Sequence, residues 1–288
     1  MDAQLAQLIV NGIAVGSIIA LAAVGLTLTY GILRLANFAH GDFMTLGAYL
    51  ILFANTAGMN IWIATILGIA ATVAVVWLSE KLLWAPMRDR RASSTTLIII
   101  SIGLALFIRN GIILIWGGSN RRYNIPVTSA LEISGIRIPL DQLMVVAFAA
   151  LIIVGLHYLL QNTKIGKAMR AVADNLDLAR VSGINVEQVV IWTWVIAGSL
   201  TALSGGMYGL ITAVRPNMGW FLIIPMFASV ILGGIGNPYG AIAGGLIIGI
   251  VQEVSTPWLG SQYKQGVALF IMILVLLVRP KGLFKGTI

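Results

Sequence analysis

The stretch Arg34–Ala48 reads RLANFAHGDFMTLGA and sets Arg34, Asn37, His40 and Asp42 between two apolar segments with no proper loop to hold them. A histidine near a carboxylate is raw material for general acid–base work. Here His40 and Asp42 lie two residues apart, a spacing that does not put them on one helix face. No nucleophile accompanies them, and neither His40 nor His157 has the spacing of a metal site. Cysteine is absent, which removes disulfides, thiolate chemistry and Cys-based metal sites together. An intramembrane enzyme is therefore disfavoured, and no catalytic residue or metal ligand is assigned. Two uses remain for these four polar residues: lining a path, or sitting at an interface as an ordinary turn.

A second interruption lies at Gly233–Gly245, GGIGNPYGAIAGG. Asn237-Pro238 breaks a helix there, because proline lacks an N–H and disfavours helix in the residue before it. Irregular backbone at membrane depth is tolerated only where protein or a water-filled cavity surrounds it. Paired breaks in two halves point to a translocation path, a rule drawn from secondary transporters. The plainer alternative is that the six glycines of this stretch let helices pack closely. Arg109, in FIRNGIILIW, is the other oddity. A charge within an apolar segment is costly and marks function by default, but snorkelling to the outer surface from a helix ending near Asn110 is the preferred reading. Glu253 reads as interfacial and His157 as packing.

The elements that would position these residues follow from composition. Of 288 residues 59% are hydrophobic and only 10% charged, too little polar surface to solvate a water-soluble exterior of this size. A span needs about 20 apolar residues, and the apolar segments run 8–33, 43–58, 61–84, 95–116, 139–160, 188–213, 221–256 and 265–279. The expectation is an all-α, polytopic integral membrane helix bundle of about 8–9 membrane segments. Some are short or re-entrant, with Gly/Pro-interrupted helices, and residues 1–288 form a single transmembrane domain. Met1–Gln7 has no basic n-region, so no removable signal peptide is expected.

The net charge of +8 sits in short breaks between spans, where membrane orientation explains it better than nucleic acid does. Three breaks are strongly basic: Pro86–Arg91 with Arg88, Arg90 and Arg91; Gln161–Glu187 with Lys164, Lys167, Arg170 and Arg180; and the tail with Arg279, Lys281 and Lys285. The positive-inside tendency puts all three in the cytoplasm. Parity then places loop 117–138 and the N-terminus outside and the C-terminus inside, although that loop carries Arg121, Arg122 and Arg137. Segment 221–256 is too long for one span at about 1.5 Å per residue, so it must be two short helices or a re-entrant pair.

The longest polar stretch, 161–187, reads QNTKIGKAMRAVADNLDLARVSGINVE. Asp174 is a plausible N-cap for a short helix with Asp177 in its first turn and Arg180 toward its end. Gly183 suits the left-handed stop. Leu176, Ala179 and Arg180 project at helical spacing, and Val181 joins the apolar side. Simple connectors between helices take only about 2–8 residues, so this is read as a docking element for a partner. A surface helix on lipid headgroups is the alternative.

Three segments together resemble a known family. Residues 11–49, NGIAVGSIIALAAVGLTLTYGILRLANFAHGDFMTLGAY, look like the N-terminal signature of LivH-type permeases of high-affinity branched-chain amino-acid ABC importers. TKIGKAMRAVADNLDLARVSGIN (163–185) resembles that family's ATPase-contacting loop. VILGGIGNPYGAIAGGLIIGIVQE (230–253) and RPKGLFKG (279–286) resemble its C-terminal signature. The resemblance covers essentially the whole chain, with NPYG at 237–240 varying in its middle residues among relatives. It implies a subunit paired with a homologous LivM-like permease, two cytosolic ABC ATPases and an external (periplasmic) solute-binding protein, in the lipid of a bacterial inner membrane. It makes Asn37, His40, Gly41 and Asp42 candidates for the path, to which the break at 233–245 adds Gly236, Asn237 and Pro238. Gly166, Arg170, Asp174, Ala179 and Gly183 become candidates for the coupling surface. The implied cargo is a branched-chain or other neutral or hydrophobic amino acid, with urea or another small solute as the alternative.

No G-x-x-x-x-G-K-[ST] motif occurs in the chain. No cofactor is therefore expected on it, and ATP and Mg²⁺ belong to the partner ATPases. A stand-alone channel or secondary carrier is the competing class, but it needs intramembrane charges to couple ions, and few exist beyond Arg109.

Overall fold

The computed structural model of the chain describes residues 2–126, 129–133 and 135–284. Helix α1 (Asp2–Leu33) is apolar all round, and from Ile18 onward it is almost wholly buried. Such a helix has no polar side to show solvent and occupies the centre of a bundle. Around it pack α6 (Leu140–Asn162), α9 (Val186–Ile211), α10 (Met218–Gly233) and α11 (Pro238–Val254). The α1–α11 contact is a backbone-to-backbone approach of Gly12 and Gly16 against Gly245 and Gly249, the small-residue packing expected where lipid supplies no hydrophobic drive.

A second layer holds α2 (His40–Thr56), α3 (Ile61–Ser79), α5 (Ser94–Trp116) and α13 (Lys264–Val278). Their outward faces expose Ile66, Phe107, Leu114, Phe270 and Leu277; these are apolar surfaces that suit lipid and would be a liability in water. Among the described residues six helical stretches are long and apolar enough to cross a membrane, with α10 and α11 shorter. The long segment predicted to divide does so at a turn over 234–237, into those two helices.

One face carries the polar helices α7 (Lys164–Asp174) and α8 (Leu176–Val181), and also α4 (Ala85–Asp89), which continues α3 through one π-helical turn, Glu80–Trp84. The opposite face carries an antiparallel hairpin, β1 (Ala130–Ile133) with β2 (Ile136–Pro139), and the short helix α12 (Thr256–Leu259). Two arginines of loop 117–138 are locally engaged. Arg137 pairs with Glu132 and Arg121 donates to the Trp116 carbonyl. Lys285 and Gly286 of the tail motif lie outside the described residues.

Candidate functional site

The backbone 34–39 does not turn at the membrane surface. It folds back from the end of α1, so that His40 Nε2 lies 2.9 Å from the Ala22 carbonyl. At about 1.5 Å per residue that is about 16 Å up α1 from Leu33. Helix α2 thus begins deep in the bundle. Thr201 Oγ1 of α9 lies 3.0 Å from the same nitrogen and gives its own hydrogen to the Ala197 carbonyl. The network therefore assigns the hydrogen to Nε2, shared between two acceptors. Asn37 is buried; its Oδ1 accepts from Ala39 N at 3.1 Å, while its Nδ2 finds no partner among the described residues. The expectation of polar residues without a proper loop is met by a re-entrant break.

Its counterpart is not the one predicted. After α9 ends at Ile211, residues 212–217 dip back and α10 starts beside the start of α2. A Cβ on Gly41 would lie 2.3 Å from the Gly219 carbonyl oxygen, so the two backbones meet where no side chain fits. Gly219 N donates to Thr45 Oγ1 at 3.0 Å, which satisfies one of the free N–H groups at the start of α10. The signal was present in Arg215-Pro216-Asn217, a short proline-bearing gap that reads as an ordinary loop when taken alone.

Asp42 is nearly inaccessible and accepts two hydrogen bonds from Arg109, from Nε and Nη2, each 3.0 Å. The Arg109 guanidinium also lies over the Trp220 ring, with Cζ 4.4 Å from its centroid. Snorkelling is therefore the wrong account of Arg109. A carboxylate at the start of α2 offers a better partner than the distant surface, and bidentate pairing is the strong form of this interaction. His40 and Asp42 do point to different neighbours, as their spacing requires.

Gly236, Asn237 and Pro238 stand elsewhere, in the α10–α11 turn on the face of the polar helices. Gly236 has φ +88° and donates its N–H to Thr27 Oγ1 at 2.9 Å. Asn237 caps α11 by accepting from Tyr239 N and Gly240 N, and its Nδ2 donates to the Phe284 carbonyl. Pro238 is the first residue of α11, where its missing N–H costs nothing. The structure brings these three together with the coupling candidates, not with Asn37, His40, Gly41 and Asp42.

Segment 161–187 forms two helices, not one. Asp174 closes α7; the N-cap of α8 is Asn175, whose Oδ1 accepts from Leu178 N at 3.0 Å. Its extended backbone (φ −154°, ψ 105°) makes the corner that a helical Asp174 cannot. Ala179 is buried, but Val181 is exposed, which corrects its placement on the apolar side. Gly183 has φ +84° and ends the helix as predicted. Gly166 receives the Thr163 cap and packs on the last turn of α6, where a Cβ would lie 2.3 Å from the Leu159 carbonyl oxygen. Arg170 bonds Gln161, and Gln161 Nε2 and His157 Nδ1 both meet Tyr239 Oη, at 3.0 and 2.9 Å. His157 thus has a polar partner, beyond the packing role read from sequence. Glu80 was also unforeseen: buried in the π turn, it accepts from Trp194 Nε1 at 2.6 Å and pairs with Arg88.

A bundle sheathed in apolar side chains, with two helices starting at depth and a polar helical pair on one face, defines a polytopic helical membrane protein. The family model described as "Branched-chain amino acid transport system / permease component" matches residues 8–276, and the chain belongs to that family. It is 31% identical over 294 residues to the high-affinity branched-chain amino acid transport system permease protein BraD of Pseudomonas aeruginosa, covering 96% of this chain and 94% of that one. The same identity and coverages hold for LivH of Escherichia coli K12. Probable LivH of Methanocaldococcus jannaschii is 31% identical over 287 residues, covering 93% and 88%. Among solved structures, PsaBC from Streptococcus pneumoniae in complex with Fab matches with a TM-score of 0.49 at 14% identity, over 97% of this chain and 92% of that one.

Proposed function

We propose that this chain moves branched-chain or other neutral, hydrophobic amino acids inward across a bacterial inner membrane as one permease subunit of an ABC importer. It works with a homologous LivM-like permease, two cytosolic ATPases that bind ATP and Mg²⁺, and an external solute-binding protein. The N-terminus then lies outside and the C-terminus in the cytoplasm. The observation that carries this reading is the α7–α8 pair. Two capped helices, anchored through Gly166 on α6 and through Arg170 and Gln161 to Tyr239 of α11, present an exposed outer surface. A connector between two spans has no need of such a structure.

On this reading Gly166, Arg170, Asp174, Ala179 and Gly183 form or shape the ATPase contact. Asn37, His40, Gly41 and Asp42 lie on the path, and Gly236, Asn237 and Pro238 join the path-forming helices α10 and α11 to the coupling face. The test is co-purification. The ATPases should remain with the wild-type permease pair in mild detergent and be lost with Ala179→Arg. Retention in the mutant at wild-type stoichiometry contradicts the assignment of the coupling surface.

A further inference from the structure

We propose that the free edge of the Arg109 guanidinium is a station for the α-carboxylate of the transported amino acid, an inference that rests on the amino-acid cargo proposed above. A guanidinium carries five N–H groups in a planar fork. Asp42 engages only the Nε–Nη2 edge, at 3.0 Å for each bond. Among the described residues Nη1 has no hydrogen-bond partner, so the Nη1–Nη2 edge can grip a second carboxylate in the bidentate manner.

Of the two partners only Arg109 keeps any access: the Asp42 side chain is 1% exposed and that of Arg109 15%. The guanidinium stands over the Trp220 ring, with Cζ 4.4 Å from its centroid. Trp220 is 39% exposed and offers an apolar wall beside the guanidinium, where an aliphatic side chain can lie. Asp42 is the positioning residue. It fixes the fork and balances its charge, so the empty station does not leave a lone cation at membrane depth. The site lies where the re-entrant starts of α2 and α10 meet, the place in a bundle at which midplane substrates are held.

The test uses the full complex, with binding protein, in proteoliposomes. Arg109→Lys keeps the charge facing Asp42 but loses the fork. Leucine carried per ATP hydrolysed should fall by at least about tenfold, with complex size and binding-protein-stimulated ATPase kept within about twofold. Uptake per ATP within about twofold of wild type overturns the proposal, and so does a parallel loss of ATPase, which marks a structural role. Should the wild-type complex hydrolyse ATP and accumulate no leucine, the cargo reading fails instead, a distinguishable result.

A measurement on the wild-type complex guards against misfolding of the variant. Phenylglyoxal modification of Arg109, read by peptide mass spectrometry, should be suppressed by leucine and not by leucinamide, which lacks the carboxylate. Equal modification with and without leucine, or equal protection by leucinamide, overturns the proposal.

Discussion

Asp42 at the start of α2 and Arg109 within α5 stand 67 residues apart in the chain and are joined by two parallel hydrogen bonds of 3.0 Å. The pair ties a peripheral helix to the deep end of a re-entrant one. Removing either partner leaves a charge with no counterion in the bundle, at a cost of about 3–5 kcal/mol. Asp42→Ala and Arg109→Ala should each lower the unfolding temperature of the detergent-purified protein by several degrees. The double Ala variant should be less destabilised than the sum of the two. Additive effects in a double-mutant cycle contradict the pairing.

The α2–α10 junction depends on two missing side chains. Gly41→Ala puts a Cβ 2.3 Å from the Gly219 carbonyl oxygen, whereas Gly103 on α5 faces open space. Overpacking costs about 1–3 kcal/mol, while alanine at an exposed helical glycine gains up to about 1 kcal/mol. Thermal stability by fluorescence-detected size exclusion should therefore fall for Gly41→Ala and hold or rise for Gly103→Ala. The reverse ranking contradicts the described contact.

Gly183 ends α8 with φ +84°, a conformation that β-branched residues strongly resist. Gly183→Val should tilt or fray α8, and Ala179→Arg should displace its buried face, each while leaving the spans intact. Membrane levels by immunoblot should match wild type, with uptake reduced at least about tenfold. Unchanged uptake in both variants refutes the coupling role.

The chain has no Walker motif. Purified alone it should hydrolyse ATP no faster than a lipid blank in a phosphate-release assay. Robust hydrolysis by the lone chain removes the case for a separate energy source.

How far the sequence reaches can be judged from these same residues. The long apolar helices are legible because apolar runs and the Gly/Pro breaks between them are local signals, although α1 starts at Asp2, six residues before its apolar run, and α7 is not marked by any such run. The re-entrant start of α2 showed as polar residues without a loop, but its depth did not, since depth depends on Ala22 and Thr201 standing beside His40. Pairing of Arg109 with Asp42 was invisible for the same reason: nothing within ten residues of either names the other. Asp174 and Asn175 are equally good caps by type, and only the extended backbone of Asn175 decides between them. The break at 212–217 is hidden in the sequence because a proline-bearing gap looks alike at the surface and at depth.

The measurement that tests the account most directly is leucine uptake into proteoliposomes holding this chain, its permease partner and the two ATPases, with binding protein outside. The account predicts accumulation against a gradient that needs ATP on the coupling-segment side and stops when any one component is left out. Gradient-driven uptake by the lone chain, without ATPases or ATP, would contradict it.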